Sequence, residues 1–352
     1  MTTGVHISGE NNEQSLLLAA IKNISAISAD DTFILFTEKN VQQLPTNCKQ
    51  FLIAPKPKNK LLLHYWYNYK LPKLLLKYAA DIFITDAAML VPSTSIKQFL
   101  FFSDISFEQT RNKFFKKKTI AAINAAENIF VTDDYIAALL TEKYSVNDDK
   151  IISLFFNLPS PKVSFTLNEL EATRELYTDG IDYYLFPISK NSSKNIITVL
   201  KAFSQFKKRQ KSSIKLLFLL DNIAEENLIP DFKNYKYKND VKIIIQTNEN
   251  IYPIVASSFA TIFFGSYTDV SFAFLALQNS IPVIAADNKI NNLLFKNAVM
   301  YSDVSENELA IKMQLIYKDE FQKNLLIQQS YSLLEKYNTD EAAQKMLQII
   351  SP

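Results

Sequence analysis

Glycine is scarce in this chain. Its 352 residues include four, Gly4, Gly9, Gly180 and Gly265, where an average protein carries roughly 7%. A phosphate loop needs clustered glycines so that the backbone can close on a pyrophosphate, and their absence excludes Walker and Rossmann fingerprints. The single cysteine, Cys48, can form neither an internal disulfide nor a cysteine-built zinc site, which fits a reducing cytosol. Two histidines are the only imidazoles a serine or cysteine hydrolase could use as its base. His6, near the terminus, reads as exposed; His64, in an apolar-aromatic run, reads as packed. No run approaches about eighteen apolar residues, and the start MTTGVHISGE lacks the regions of a signal peptide, so the chain reads as cytosolic. Charge of neither sign dominates: 38 basic residues face 36 acidic ones, which leaves no field to attract nucleic acid.

What is present is apolar and aromatic: 48% hydrophobic residues, with 12% Phe, Trp and Tyr, exclude disorder. The length suits two domains, each with its own core. Short runs rich in Ile, Phe and Val predict strands at 5–8, 33–36, 51–54, 81–85, 98–102, 128–132 and 150–155. Helical periods lie at 15–27, 61–78, 112–126 and 134–144, the last with Asp133 as its N-cap. The two prolines of NLPSPKVS (157–164) mark a linker. Beyond it, strands are predicted at 182–188, 215–220, 241–245, 261–264 and 281–285. Helices follow at 195–210, 250–259, 270–278, 306–317, 320–337 and 339–350. Runs apolar at consecutive positions suit strands buried on both faces of a parallel sheet. The fold class is therefore α/β, with two doubly wound Rossmann-like domains facing across a cleft and C-terminal helices. Their expected bounds are 1–160, 165–335 and a last helix, 336–352, that crosses back to the first domain.

Four stretches of the second half carry a resemblance: DYYLFPISKNSSKNIITVLKAFSQFKKRQ (182–210), KLLFLL (215–220), SYTDVSFAFLALQNSIPVIAAD (266–287) and LAIKMQLIYKDE (309–320). In the first half LLLHYWYNYKLPKLLLKYAADIFIT (61–85), FFSDISF (101–107) and NIFVTDDYIAALLTEKY (128–144) add to it more weakly. Together they resemble the retaining glycosyltransferases of family 4, which have the two-domain GT-B fold, and most of all those of Bacteroidetes surface-polysaccharide clusters. The resemblance implies a nucleotide sugar as donor, a glycan or polyprenyl-linked acceptor, retention of anomeric configuration, and neither metal nor cofactor.

It also assigns residues. The family's Arg-Lys-Asn before the diphosphate-binding helix reads Ser193-Lys194-Asn195, so Lys194 keeps its place while the bidentate grip of a guanidinium is lost. Of the family's two glutamates seven residues apart, the first falls at Thr268 or Asp269 and the second at Leu275, which cannot accept a hydrogen bond from a ribose. The glycine-rich turn of the first domain is replaced by Gly9–Gln14, whose Glu10 and Glu13 would repel a diphosphate, and the family's His-Asp reads Ser103-Asp104. Asp104 and Asp269 are left as the candidate catalytic carboxylates, and Ser193, Lys194, Asn195, Thr268 and Asp269 as the candidate donor site. Each has a plainer alternative: a solvated lysine, an N-cap aspartate, a strand-end loop aspartate. Two readings stay open: a sugar transferase with a divergent site that binds its donor weakly, or an inactive scaffold that partners a paralogous glycosyltransferase.

Two basic-aromatic stretches, 55–78 and 111–119, complete the reading. Lys113, Lys116, Lys117 and Lys118 are candidates for peripheral contact with an anionic membrane face. Trp66 and the leucines around it are expected in a core-packed helix broken at Pro72.

Overall fold

A computed structural model describes residues 1–8, 15–53, 60–92, 94–109, 112–156, 164–190, 192–220, 234–247 and 249–351. The turn 9–14, residues 157–163 of the linker and residues 55–59 of the first basic stretch lie outside them. The chain divides into two compact units, Met1–Asn157 with Tyr337–Pro352, and Leu158–Lys336.

The first unit runs β1 (Thr2–His6), α1 (Leu16–Ile27), β2 (Thr32–Thr37), β3 (Cys48–Leu52), α2 (Lys60–Tyr65), α3 (Leu71–Lys77), β4 (Ile82–Thr85), β5 (Lys97–Phe102), α4 (Ser106–Gln109), α5 (Lys113–Ala125), β6 (Ile129–Val131), α6 (Asp134–Tyr144) and β7 (Ile151–Ser153). All seven strands are parallel, in the order β3-β2-β1-β4-β5-β6-β7. The central strands are covered on both faces, so consecutive residues of β1 and β4 are buried without alternation. Asp133 accepts from the Ile136 amide at 2.9 Å and so caps α6.

The second unit runs α7 (Leu167–Thr178), β8 (Tyr183–Ile188), α8 (Ile196–Gln210), β9 (Lys215–Leu220), β10 (Val241–Ile245), α9 (Ile251–Ala256), β11 (Ala260–Phe263), α10 (Ser271–Gln278), β12 (Val283–Ala286), α11 (Lys289–Phe295), β13 (Met300–Ser302), α12 (Glu306–Lys318) and α13 (Glu320–Leu334). Its parallel sheet has the order β10-β9-β8-β11-β12-β13. The last helix, α14 (Thr339–Ile350), belongs to the first unit: Ala342, Ala343, Met346 and Ile350 join Leu17, Ile21 and Ile24 of α1 in one buried cluster. Lys345 Nζ donates to the Ser153 carbonyl at 3.2 Å beside it.

Three expectations are corrected. His6 is buried, 6% exposed, because β1 is a central strand pairing with β2 and β4. His64 is exposed instead, on the outer face of α2. The helix does not break at Pro72. Proline has no N–H to offer the carbonyl four residues back, and the chain compensates by winding Trp66–Lys70 as a π-helix, with the Leu71 amide bonded to the Trp66 carbonyl. Trp66 itself is buried, as the packing pattern predicts.

Gly4 shows what one of the four glycines is for. A Cβ on it would land on Cδ2 of Leu75 from α3 and lie 3.5 Å from the rings of Phe36 and Phe83. Leu75 is itself fully enclosed, so it cannot swing aside. Gly4→Val is expected to destabilise the protein by about 1–3 kcal/mol through overpacking, read as a lower urea midpoint.

Candidate functional site

In an open parallel sheet, ligands collect beyond the carboxyl ends of the strands where the strand order reverses. In the second unit that point lies between β8 and β11. The chain leaves β8 into a tight turn: the Ser189 amide donates to Ser192 Oγ at 2.8 Å, and Ser192 Oγ donates to the Pro187 carbonyl at 3.2 Å. A 3-10 turn, Ser193–Asn195, then opens α8. Asn195 is buried and its Nδ2 reaches the Phe264 carbonyl at 3.4 Å, tying this turn to the end of β11. Ser193 donates to the Lys190 carbonyl at 3.1 Å. Lys194 is exposed and pairs with no carboxylate among the described residues. The amides of Ser192, Ser193, Asn195 and Ile196 are bonded to carbonyls of the same turn, so what favours an anion here is the positive end of the dipole of α8 with the Lys194 ammonium beside it.

Across the same point, Asp269 closes the 3-10 turn Tyr267–Asp269 ahead of α10. Its Oδ2 accepts from the Ser266 amide (2.8 Å), Ser266 Oγ (2.9 Å) and Ser189 Oγ (3.1 Å). That oxygen is taken up by its own loop through Ser266 and by the turn after β8 through Ser189. The approach requires glycine at 265, where a Cβ would sit 2.8 Å from the Cβ of Asp269. Thr268 is exposed, with its hydroxyl 2.8 Å from Ser266 Oγ. Leu275 is 2% exposed in a helix whose residues 272–277 are all buried, so it belongs to the core. The structure thus brings Asn195 and Asp269 together through Ser189 and Phe264, sets Lys194 at the rim, and takes Leu275 away.

The first unit holds a second constellation, unforeseen from the sequence, at its own reversal point between β1 and β4. A cavity of 970 Å³ opens there, lined among others by His6, Ser8, Ser15, Tyr67, Asp86 and Asp104. Its floor is a triangle of polar atoms: Tyr67 Oη and Thr85 Oγ1 lie 3.0 and 3.1 Å from His6 Nδ1. Burial pushes the imidazole down to about 4, so His6 is neutral near pH 7. The π turn is what delivers Tyr67 to this place.

Asp86, just past β4, accepts from the Ser8 amide at 2.7 Å and from Ser15 Oγ at 3.3 Å. Burial outweighs these bonds and lifts its carboxyl to about 6. A carboxylate that titrates near neutral pH in a cavity is suited to accept a proton from a bound hydroxyl. Asp104 lines the same cavity, but its Oδ1 accepts from the Ser106 amide at 2.7 Å at the start of α4. His6 escapes a sequence reading because position 6 looks terminal. The signal that could have found it is the end of the first strand of a doubly wound domain. Asp86 carries the same signal at the end of the fourth.

Lys113, Lys116, Lys117 and Lys118 all lie exposed on α5. Among the described residues no helix is long and apolar enough to cross a membrane, and no group of three or more His, Cys, Asp or Glu could hold a metal ion.

No family model and no curated protein matches the chain. Solved structures do. A glycosyltransferase from Rickettsia africae superposes with a TM-score of 0.70 at 15% identity, over 99% of this chain and 97% of that one. HepE of Anabaena in complex with UDP gives 0.69 at 10% identity, over 99% of each chain. WaaG, a glycosyltransferase involved in lipopolysaccharide biosynthesis, gives 0.62 at 11% identity, over the full length of both. The two parallel-sheet units and these neighbours establish the GT-B fold.

Proposed function

We propose that this protein is a glycosyltransferase of the family 4 type that takes a sugar from a nucleotide sugar and passes it to a surface glycan or its lipid-linked precursor. The observation that carries this reading is the pairing at the reversal point of the second unit. Lys194 stands exposed at the start of α8 with no carboxylate partner among the described residues, while Asn195 and Asp269 hold the flanking loops together. A diphosphate there would meet the positive end of the α8 dipole and the Lys194 ammonium, and a sugar hydroxyl could donate to Asp269 Oδ1. HepE, which shares the fold, was solved with UDP bound. The cavity at His6 and Asp86 is the acceptor side in this reading, with Asp86 receiving the acceptor's proton. The lysines of α5 would rest on an anionic membrane face.

A second reading is favoured by one specific finding. Leu275 is core and Asp269 Oδ2 is taken up by Ser266 of its own turn and by Ser189, so neither glutamate of the family's pair has a direct replacement. That arrangement suits a protein which binds without turnover, as partner to a competent transferase.

Release of nucleoside diphosphate from UDP-, GDP- and ADP-sugars, with bacterial glycolipid extract as acceptor, separates the two. The transferase reading predicts release that falls about ten- to hundredfold in Lys194→Ala, the worth of a hydrogen-bonded charge. Donor binding without release would establish the second reading in its place.

A further inference from the structure

One face of the first sheet has a gap in its cover. Crossovers that step the same way along a parallel sheet lie on the same side of it, and such connections are usually helical. From β3 to β4 the chain crosses through α2, the π turn and α3, and from β5 to β6 through α5. Between them, residues 86–96 link β4 to β5 with no helix among the described residues. A cavity of 460 Å³ opens there, within the range of small-molecule sites. Helix α5 keeps it open with Ala121, Ala122 and Ala125. Gln98 of β5 braces the loop, since its side-chain amide accepts from the Val91 amide and donates to the Val91 carbonyl, both at 2.8 Å. Tyr67 divides this cavity from the one at His6: it lines both, and its hydroxyl lies 3.0 Å from His6 Nδ1.

The walls carry polar groups from four separate elements. Asn68 of the π turn is half-buried; its Nδ2 donates to the His64 carbonyl at 2.8 Å, while its Oδ1 has no partner among the described residues. Ser95 of the loop and Lys118 of α5 make no side-chain hydrogen bond or ion pair among them either. Lys97 of β5 and Glu127 also line the cavity, 3.9 Å apart and both more than half exposed, a pair loose enough to open. Two ammonium groups against one carboxylate leave the lining net positive. Leu63, Met89 and the ring of Phe114 add apolar surface to the same walls.

We infer that this cavity is a binding site for a small anionic saccharide, a sugar bearing one carboxylate or phosphate, separate from the donor turn and from the cavity at His6. Lys118 and Lys97 take the charge, Asn68 and Ser95 bond hydroxyls, and Phe114 and Met89 pack against the C–H face of the ring. A hydrocarbon would leave Asn68, Ser95 and the lysines without partners. An inorganic anion would leave the apolar walls bare, and a neutral sugar would leave the excess positive charge unanswered. A sugar anion meets all three kinds of group. The inference holds whether the protein transfers sugar or only binds it, because none of these residues belongs to the turn that opens α8.

Calorimetric titration of the full chain at constant ionic strength tests it with four probes: glucuronate, glucose 6-phosphate, glucose and inorganic phosphate. At least one of the two anionic sugars is expected to bind about tenfold or more tighter than both glucose and phosphate, and the better of the two identifies the charged group. Lys118→Ala is expected to weaken that binding about ten- to hundredfold, whereas Lys117→Ala, its exposed neighbour outside the cavity, leaves it unchanged. Ala125→Phe fills the space from an exposed position on α5 and is expected to abolish binding; Ala121→Trp does the same from one turn earlier, and the fluorescence of Trp66 reports that each variant is folded. Binding is expected to persist in Lys194→Ala. No binding of either anionic sugar, or binding no tighter than that of phosphate or glucose, would overturn the proposal. So would equal losses in the two lysine variants, binding that survives both filling variants, or binding lost in Lys194→Ala, which would assign the ligand to the donor turn.

Discussion

Tyr184→Ala is expected to lower the stability of the second unit by about 3–5 kcal/mol, the cost of deleting a fully buried aromatic ring. Tyr184 lies on β8, which the sheet order places between β9 and β11, and it is fully enclosed. Its ring meets Phe206 of α8 and Phe259 edge to face at 5.4 and 5.6 Å, and its hydroxyl donates to the Met313 carbonyl of α12 at 2.7 Å. One side chain thus joins the sheet to two helices of the same face. Tyr184→Phe separates the two contributions: the ring contacts stay, and only the hydrogen bond, worth about 1 kcal/mol, is lost. Urea titration followed by circular dichroism measures both. A loss under about 1 kcal/mol for the alanine variant would contradict the account of this core.

The second large effect is on pH dependence, and it is hidden in the parent protein. Asp86 titrates at about 6 when folded against an ordinary 3.8, so the folded state holds its proton more tightly than the unfolded chain does. Its contribution is therefore present at low pH and lost as pH climbs from about 4 to 6. His6 titrates at about 4 against an ordinary 6.5, so the unfolded chain takes up that proton first. Its contribution is present above about 6.5 and lost as pH falls towards 4. The two slopes oppose each other over nearly the same window. Asp86→Asn should expose the histidine slope, a stability that drops by about 3 kcal/mol between pH 6.5 and 4; His6→Gln should expose the opposite slope, a gain of similar size on the same descent. Trp66, the single tryptophan, is buried in this unit and reports its unfolding by fluorescence. Parallel pH profiles for the two variants would contradict the polar floor described for the cavity.

Much of this architecture is legible in the sequence because buried parallel strands advertise themselves as short apolar runs. Five of the seven strands of the first sheet, and five of the six in the second, lie on segments such as FILF and KLLFLL, whereas β1 (TTGVH) and β3 (CKQFL) overlap the predicted runs 5–8 and 51–54 by two residues each. Elements without an apolar stripe are not legible that way. Helix α7 buries only Thr173 and Thr178 and leaves Leu167 and Leu176 in solvent, so periodicity says nothing about it. Its signature is the capping box, in which the Thr166 amide donates to Glu169 Oε2 at 2.7 Å and the Glu169 amide to Thr166 Oγ1 at 3.3 Å. Strand β13 reads MYS and carries no run of Ile, Val or Phe.

The candidate donor residues were legible as positions but not as roles. Sequence places Asp269 beside Lys194 and Asn195 only by resemblance. That its Oδ2 is held by Ser189, 80 residues earlier, is a consequence of the β8–β11 pairing. The His6–Tyr67–Asp86 constellation was not legible at all. Its members come from the end of β1, the π turn and the end of β4, and only the sheet order β2-β1-β4 and the winding around Pro72 bring them together.

The account depends most on a working anion site at the start of α8. Calorimetric titration of the full chain with UDP-, GDP- and ADP-sugars, repeated on Lys194→Ala, measures it directly. The account predicts saturable binding of at least one donor that weakens about ten- to hundredfold in the variant. Folded protein that takes up none of them, or that binds a donor equally well without Lys194, would contradict it.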